Sequence, residues 1–345
     1  RPGRRAKRSI GQKASHAFPR RPHARVEKTV PKQCCHKQAI DVTPYNIALL
    51  LLRVRTSCRG TDSMLIAQVT DIHLGFEPDN PSEFNRKRLD QVIRQLSAMK
   101  PQPDMLLATG DLVDRGDSAS YRRLRNALAG CSFPVWPCLG NHDERANFSE
   151  WYPEIPVVDG FVQYEVETPE LRLLFLDTLE DGRHGGAFCE TRADWLSARL
   201  AEKTGTKTLI VMHHPPVEVG IEWMNTHPGE PWVIRFAEAI RGHDQIVGIV
   251  CGHLHRPITV GWQGRTIAIC ASTAPQVALD LAEIDPDAPD GRPMIIADPP
   301  AFALHRWNGQ EFVSHFDNAD EHVVLARFDD KMQDLVRSLL NERPT

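Results

Sequence analysis

Residues 64–73 read Met-Leu-Ile-Ala-Gln-Val-Thr-Asp-Ile-His, and the largely apolar run 65–69 predicts a buried strand that stops at Thr70-Asp71. Four later segments repeat the arrangement. Gly110-Asp111 follows the run 105–108, and Gly140-Asn141-His142-Asp143 follows 135–139. His213-His214-Pro215-Pro216 follows 208–212, and Gly252-His253-Leu254-His255 follows 246–251. Each places polar side chains just after a strand, the edge at which open α/β sheets bind ligands. Singly they say little: a Gly-Asp pair is common in turns, and paired histidines pack more often than they ligate. All five in order are hard to reach by chance.

Between the strands lie amphipathic stretches. Residues 88–99 carry Leu89, Val92, Ile93 and Leu96 at helical spacing and stop before Pro101. Further helices are predicted around 121–128, 191–203 and 233–240. Segments 161–166, 171–176, 258–262 and 266–269 read as β-rich. Residues 302–307 and 310–316 flank Asn308-Gly309, which predicts a hairpin with a two-residue turn. The Asp- and Pro-rich stretch 280–300 reads as loop. Residues 220–232, with Trp223, Met224, Asn225 and Trp232, are expected to form a lip over the site. The alternation argues for an α/β fold with much parallel sheet, and the β-rich later half for a second sheet packed on the first.

The formal net charge of −4 over 345 residues hides an asymmetry. Residues 1–63 hold 15 Lys+Arg against 3 Asp+Glu (+12), leaving 26 against 42 (−16) for the remaining chain. The leader, with one short apolar run at 47–52, cannot bury enough surface to offset its chain entropy and reads as disordered. Met64 reads as the natural start. The run suits neither a signal peptide nor a membrane span, which needs about 20 apolar residues. The eight cysteines form no CxxC pair and no disulfide framework, which suggests a reducing compartment, the cytoplasm. An acidic folded part without a basic stripe argues against nucleic acid.

The chemistry of the five segments is coherent. Two divalent cations roughly 3.5–4 Å apart can clamp a phosphate, given a carboxylate between them and further ligands on each. Imidazole with carboxylate suits Fe, Mn, Zn or Co rather than Ca. None of the segments contains a cysteine, which argues against a thiolate-rich structural zinc site.

The order DxH, GD, GNHD, H, GHxH resembles that of the calcineurin-like metallophosphoesterases. Gly140-Asn141-His142-Asp143, His213-His214-Pro215-Pro216 and Ser272-Thr273-Ala274-Pro275-Gln276 look like the branch of bacterial class III cyclic-nucleotide phosphodiesterases and glycerophosphodiesterases. The resemblance spans about 65–316. It implies a four-layer α/β/β/α sandwich of two packed mixed sheets, with a catalytic domain over 64–345. By that resemblance one metal takes Asp71, His73 and His255, the other takes Asn141, His213 and His253, and Asp111 bridges them. His213 is preferred to its neighbour because it stands two before the Pro, as the family's histidine does. His214 then supports a ligand or faces substrate. Asp143 and Pro215 shape their loops. His142 is placed over the phosphate, to donate a hydrogen bond there and a proton to the leaving alkoxide.

The implied reaction is in-line hydrolysis of a small-molecule phosphodiester without a covalent enzyme intermediate. Cyclic AMP or another 3′,5′-cyclic nucleotide stands first, and a glycerophosphodiester next. Phosphomonoesterase activity is an alternative, as is a non-catalytic scaffold, although all seven ligands are present. Related enzymes tend to carry Asp where Asn225 stands, and residues 227–231 interrupt the helix expected after it. The β-rich tail and hairpin serve either a homodimer interface or an ordinary second sheet.

Overall fold

A strand covered on both faces needs near-continuous apolar sequence, and Met64–Val69 (β1), Met105–Thr109 (β2) and Val135–Cys138 (β3) supply it. They pair in parallel, β1 with β2 and β2 with β3. The computed structural model describes residues 63–80 and 82–343. The expectation of a disordered basic leader before Met64 therefore lies outside the described residues, save Ser63.

Helices Phe84–Ala98 (α1) and Ser118–Leu128 (α2) connect these strands. The first begins four residues before the predicted start because its opening turn does not follow an apolar period. Asn85 and Arg88 are buried there, Asn85 donating to the His73 carbonyl and Arg88 to the carbonyls of Thr273 and Ala274. A short helix at Arg145–Trp151 (α3) was not foreseen. Seven residues show no usable period, and Glu144 caps it by accepting from the amides of Ala146 and Asn147.

The second sheet comprises Tyr164–Glu167 (β4), Arg172–Phe175 (β5), Thr208–Val211 (β6), Ile246–Cys251 (β7), Ile258–Trp262 (β8) and Arg265–Ile269 (β9), in the order β4-β5-β6-β7-β9-β8. Its four inner strands are parallel, and β4 and β8 close the edges antiparallel. Side chains alternate across it. Leu173, Phe175, Leu209, Val211, Val250 and Ala268 join the core shared with the first sheet, α1 and α2. Leu174, Ile210, Met212, Ile249, Cys251 and Ile267 face a second core. There they meet helices Glu190–Glu202 (α4) and Pro231–Ala239 (α5). The layers are therefore α/β/β/α, as the resemblance implied.

The stretch expected to be all loop contains a short ladder, Gln276–Val277 (β10) with Ile295–Ile296 (β11). Ala301–Trp307 (β12) and Phe312–Asn318 (β13) complete the first sheet, β12 running antiparallel to β1. The strands of this hairpin are separated by residues 308–311 rather than by Asn308-Gly309 alone. The Asn308 side chain accepts from the amides of Gln310 and Glu311, which lengthens the turn. A final helix, Asp330–Asn341 (α6), lies beyond the stretch the sequence reading covered. Among the described residues no helix is long and apolar enough to cross a membrane.

Candidate metal centre

The parallel strands of both sheets end at one place. Asp71 and His73 follow β1, Asp111 follows β2, Asn141 and His142 follow β3, His213 follows β6, and His253 and His255 follow β7. Asp71, His73, Asp111, His253 and His255, five of the seven expected ligands, adopt positive φ, between 46° and 72°. A side chain with Cβ rarely adopts that region, and such strain persists only where surrounding bonds impose it. Here they do. Asp71 donates its amide to the Gly110 carbonyl, His73 to that of Asp111, and Gly252 to that of His213. The preceding glycines allow the approach. A Cβ on Gly110 would enter the His213 ring, and one on Gly252 would lie 2.9 Å from Asp71 Oδ2 and 3.0 Å from the Thr109 carbonyl.

Hydrogen bonds divide each carboxylate into an anchored and a free oxygen. Asp71 Oδ2 accepts from Thr70 Oγ1 at 2.8 Å and from the His253 amide at 2.9 Å. Asp111 Oδ1 accepts from the His142 amide at 2.8 Å. The other oxygens face imidazoles: Asp111 Oδ2 lies 3.6 Å from His73 Nε2 and 3.5 Å from His213 Nε2. Asp71 Oδ1 lies 3.3 Å from His255 Nε2. The outer nitrogens are tied back, His213 Nδ1 to the Thr109 carbonyl and His255 Nδ1 to that of Pro275, so both Nε2 atoms turn inward.

Asp71 Oδ1, Asn141 Oδ1 and His213 Nε2 are buried without a hydrogen-bond partner. Unpartnered polar atoms cost free energy unless something else satisfies them, and a divalent cation would. Donor atoms of Asp71, His73 and His255 lie within 4.8 Å of one another, as do those of Asp71, Asp111 and His213. The donor set fits divalent transition metals. Burial works against the Asp71 carboxylate, but His255 and His213 outweigh it and bring it down to about 2. Burial likewise opposes charge on His213, while Asp111 and Asp71 lift it to about 9. The pocket is built to hold unlike charges close together.

His142 is half-buried beside this group. Its Nδ1 donates to the Asp114 carbonyl at 2.8 Å, and its ring meets His73 edge-on at 4.6 Å. Asp143 shapes this loop, accepting from the amides of Gly140, Leu112 and Val113 and from the Tyr121 hydroxyl. Burial, then the nearby Asp111, raise its carboxyl to about 7.

The substrate-facing reading of His214 is corrected. The residue is fully buried, its Nδ1 bonded to Thr178 Oγ1 and its Nε2 to the His184 carbonyl. It supports the loop that carries His184, a residue the sequence reading missed. The exposed His184 places Nδ1 3.4 Å from Asn141 Nδ2 and its ring 6.0 Å from that of His142. The available signal was a histidine beside Gly182, Gly185 and Gly186 after β5. Arg145 pins the same loop through Asp177, Asp181 and the Leu179 carbonyl.

Only part of the expected lip is free. Trp232 is buried and Asn225 caps a turn by accepting from the amides of Val219 and Gly220, whereas Trp223 remains 40% exposed. Glu222 accepts from the Ile284 amide and joins this segment to the acidic stretch between β10 and β11.

The calcineurin-like phosphoesterase family matches residues 64–257. A probable glycerophosphodiester phosphodiesterase of Arcobacter nitrofigilis is 28% identical, over 72% of this chain and 90% of that one. A probable cyclic nucleotide phosphodiesterase of Rhodopseudomonas palustris is 32% identical over 64% and 79%, respectively. The 3′,5′-cyclic adenosine monophosphate phosphodiesterase of Vibrio vulnificus is 31% identical over 62% and 78%. The Plasmodium protein GAP50, the anchor in the inner membrane complex, shares the fold at a TM-score of 0.53 and 11% identity, covering 76% of this chain and 87% of its own. With the metallophosphoesterase fold and clustered ligand atoms already in place, these matches make the chain a member of the calcineurin-like phosphoesterase family and a metal-dependent phosphoesterase.

Proposed function

We propose that this protein is a two-metal phosphodiesterase acting on a 3′,5′-cyclic nucleotide. The observation that carries the reading is the convergence of buried, unpartnered donor atoms on Asp71, Asn141 and His213 beside the free oxygen of Asp111. In this reading Asp71, His73 and His255 hold one ion, Asn141, His213 and His253 the other, and Asp111 serves both. Fe, Mn, Zn and Co all suit such ligands. When bound, two such ions stabilise charge on phosphoryl oxygens and lower the pKa of water.

The chain's own residues do the rest. His142 Nε2 donates to a phosphoryl oxygen and passes its proton to the departing alkoxide, while the Asp114 carbonyl fixes the ring through Nδ1. His184 borders the same space from the opposite loop and contacts the substrate beside Asn141. Acidic residues between β10 and β11 disfavour a polyanion and leave a small, singly charged diester as the better guest. The cyclic-nucleotide enzymes among the relatives support that choice. Glycerophosphodiesters form the second reading, favoured by the relative matched over 90% of its length. Cys131, Cys138, Cys189, Cys251 and Cys270 are free thiols, which suits the cytoplasm.

The test is hydrolysis of cyclic AMP, glycerophosphocholine and bis(p-nitrophenyl) phosphate by the full chain, metal-stripped and then reloaded with Mn²⁺. Metal-restored activity on cyclic AMP above that on glycerophosphocholine is expected. The reverse order would move the substrate to the second reading. Hydrolysis of none of these diesters, with p-nitrophenyl phosphate assayed alongside and cleaved, would replace the diesterase with a monoesterase.

A further inference from the structure

Beneath the candidate ligands lies a buried polar layer that core packing alone does not call for. Gln68 in β1, Thr109 at the end of β2, Cys251 at the end of β7 and His305 in β12 are all fully buried. The Gln68 amide nitrogen donates to Thr109 Oγ1 at 2.8 Å and to the Cys251 carbonyl at 2.9 Å, and so ties the first sheet to the second. The Cys251 carbonyl can only accept. That fixes which way the amide faces and leaves Oε1 to accept from His305 Nε2 at 2.8 Å. His305 Nδ1 then accepts from the Ser314 hydroxyl at 2.8 Å, while the ring stacks on Phe312 at 5.2 Å. Apolar side chains of similar shape would fill this space at little or no loss of stability. A fully satisfied buried network instead holds its surroundings in one arrangement.

What this network holds is the metal end of both sheets. Gln68 stands three residues before Asp71, Thr109 two before Asp111, and Cys251 two before His253. Thr109 also offers its carbonyl to His213 Nδ1 at 2.7 Å, the bond that turns His213 Nε2 inward. In the ligand assignment above, each ion draws on both sheets. Asp71 and His73 come from the first and His255 from the second; Asn141 comes from the first, His213 and His253 from the second. The separation of the sheet ends therefore sets the ligand spacing at each ion, and the bond from Gln68 to the Cys251 carbonyl fixes that separation from below. We propose, on the two-ion reading above, that Gln68 is a positioning residue for the metal pair, with His305 holding its amide in the required orientation. A residue that merely filled the core would contribute stability and leave metal affinity alone.

The test is titration of Mn²⁺ into the metal-stripped full chain, with free ion followed by electron paramagnetic resonance and the fold checked by circular dichroism. The wild type is expected to take two ions. Gln68→Met keeps the length of the side chain and removes its hydrogen bonds. It should raise the dissociation constant of the weaker ion by at least about tenfold and diminish the spin-coupled signal of the bound pair. Thr109→Val removes one acceptor alone and should shift affinity the same way by less. Leu96→Ala, in the same core at the far end of α1, should lower the melting temperature and leave both constants unchanged. Wild-type affinities in both Gln68→Met and Thr109→Val would overturn the proposal. An equal loss of affinity in Leu96→Ala would do so too, because it would reduce the effect to stability. If Gln68→Met does not fold, Thr109→Val decides between these outcomes. A wild type that takes fewer than two ions would bring down the two-ion reading, and this inference with it.

Discussion

His253 and Asp71 are 182 residues apart in sequence, yet the amide of one bonds the carboxylate of the other, and both lie at positive φ. At the residue scale the centre is a set of candidate ligands held in costly conformations by such bonds. Small changes beneath them should therefore reach the metals. Gly252→Ala places a methyl group against Thr70 and Asp71. Overpacking of this kind costs about 1–3 kcal/mol, and the variant should also lose bound metal. Elemental analysis with thermal denaturation checks both, and full metal content would remove the glycine from the account. His142→Ala makes the complementary case. Its loss should lower kcat by about 10²–10⁴ at unchanged metal content, and near-normal turnover would exclude it as proton donor. The candidate residues stood out in sequence because an Asp, Asn or His closes each of the five strand-like runs. His184 lacked a second signal nearby, and the role of His214 depended on partners 30 and 36 positions away.

At the element scale, strands were more legible than helix ends or turns. Buried strands carry continuous apolar runs, whereas the first turn of α1 spends Asn85 and Arg88 on holding the site's loops. The β12–β13 hairpin joins β1 through a buried polar chain. His305 bonds Ser314 on one side and Gln68 on the other, and Gln68 reaches the Cys251 carbonyl at the end of β7. Burial, aided by His315, lowers His305 from 6.5 to about 3. The neutral ring is the folded form. Above pH 6.5 its contribution is complete, and below that value the unfolded chain takes a proton that the folded chain refuses. Stability should then fall toward pH 3, by up to about 1.4 kcal/mol per unit from this group. Denaturant unfolding of the wild type and His305→Gln on either side of pH 6.5 measures it. An identical pH slope in both proteins would show that His305 does not titrate on unfolding.

At the scale of the whole molecule, two sheets meet so that carboxylates and imidazoles from both face one another. Such a group is poised for cations and uncomfortable without them. Metal removal should lower the melting temperature, and reloading at a hundred times the dissociation constant should return about 2.7 kcal/mol. Calorimetry of stripped and Mn²⁺-reloaded protein checks this. A melting temperature insensitive to metal would sink the two-ion reading, whatever the activity.

By itself the sequence determined the class of chemistry and the layered α/β fold. Apolar runs set the strands and the two packed sheets, the polar residues closing them are of the kinds a dimetal centre uses, and the motif order carries the resemblance that implies four layers and phosphoester chemistry. Only the tertiary structure decided which oxygen of Asp71 and of Asp111 stays free, that His214 turns inward, and that His184 joins the rim. It also decided that none of the residues of the last helix is buried. These outcomes depend on hydrogen bonds and packing between segments far apart along the chain, and no local pattern encodes which distant partner arrives.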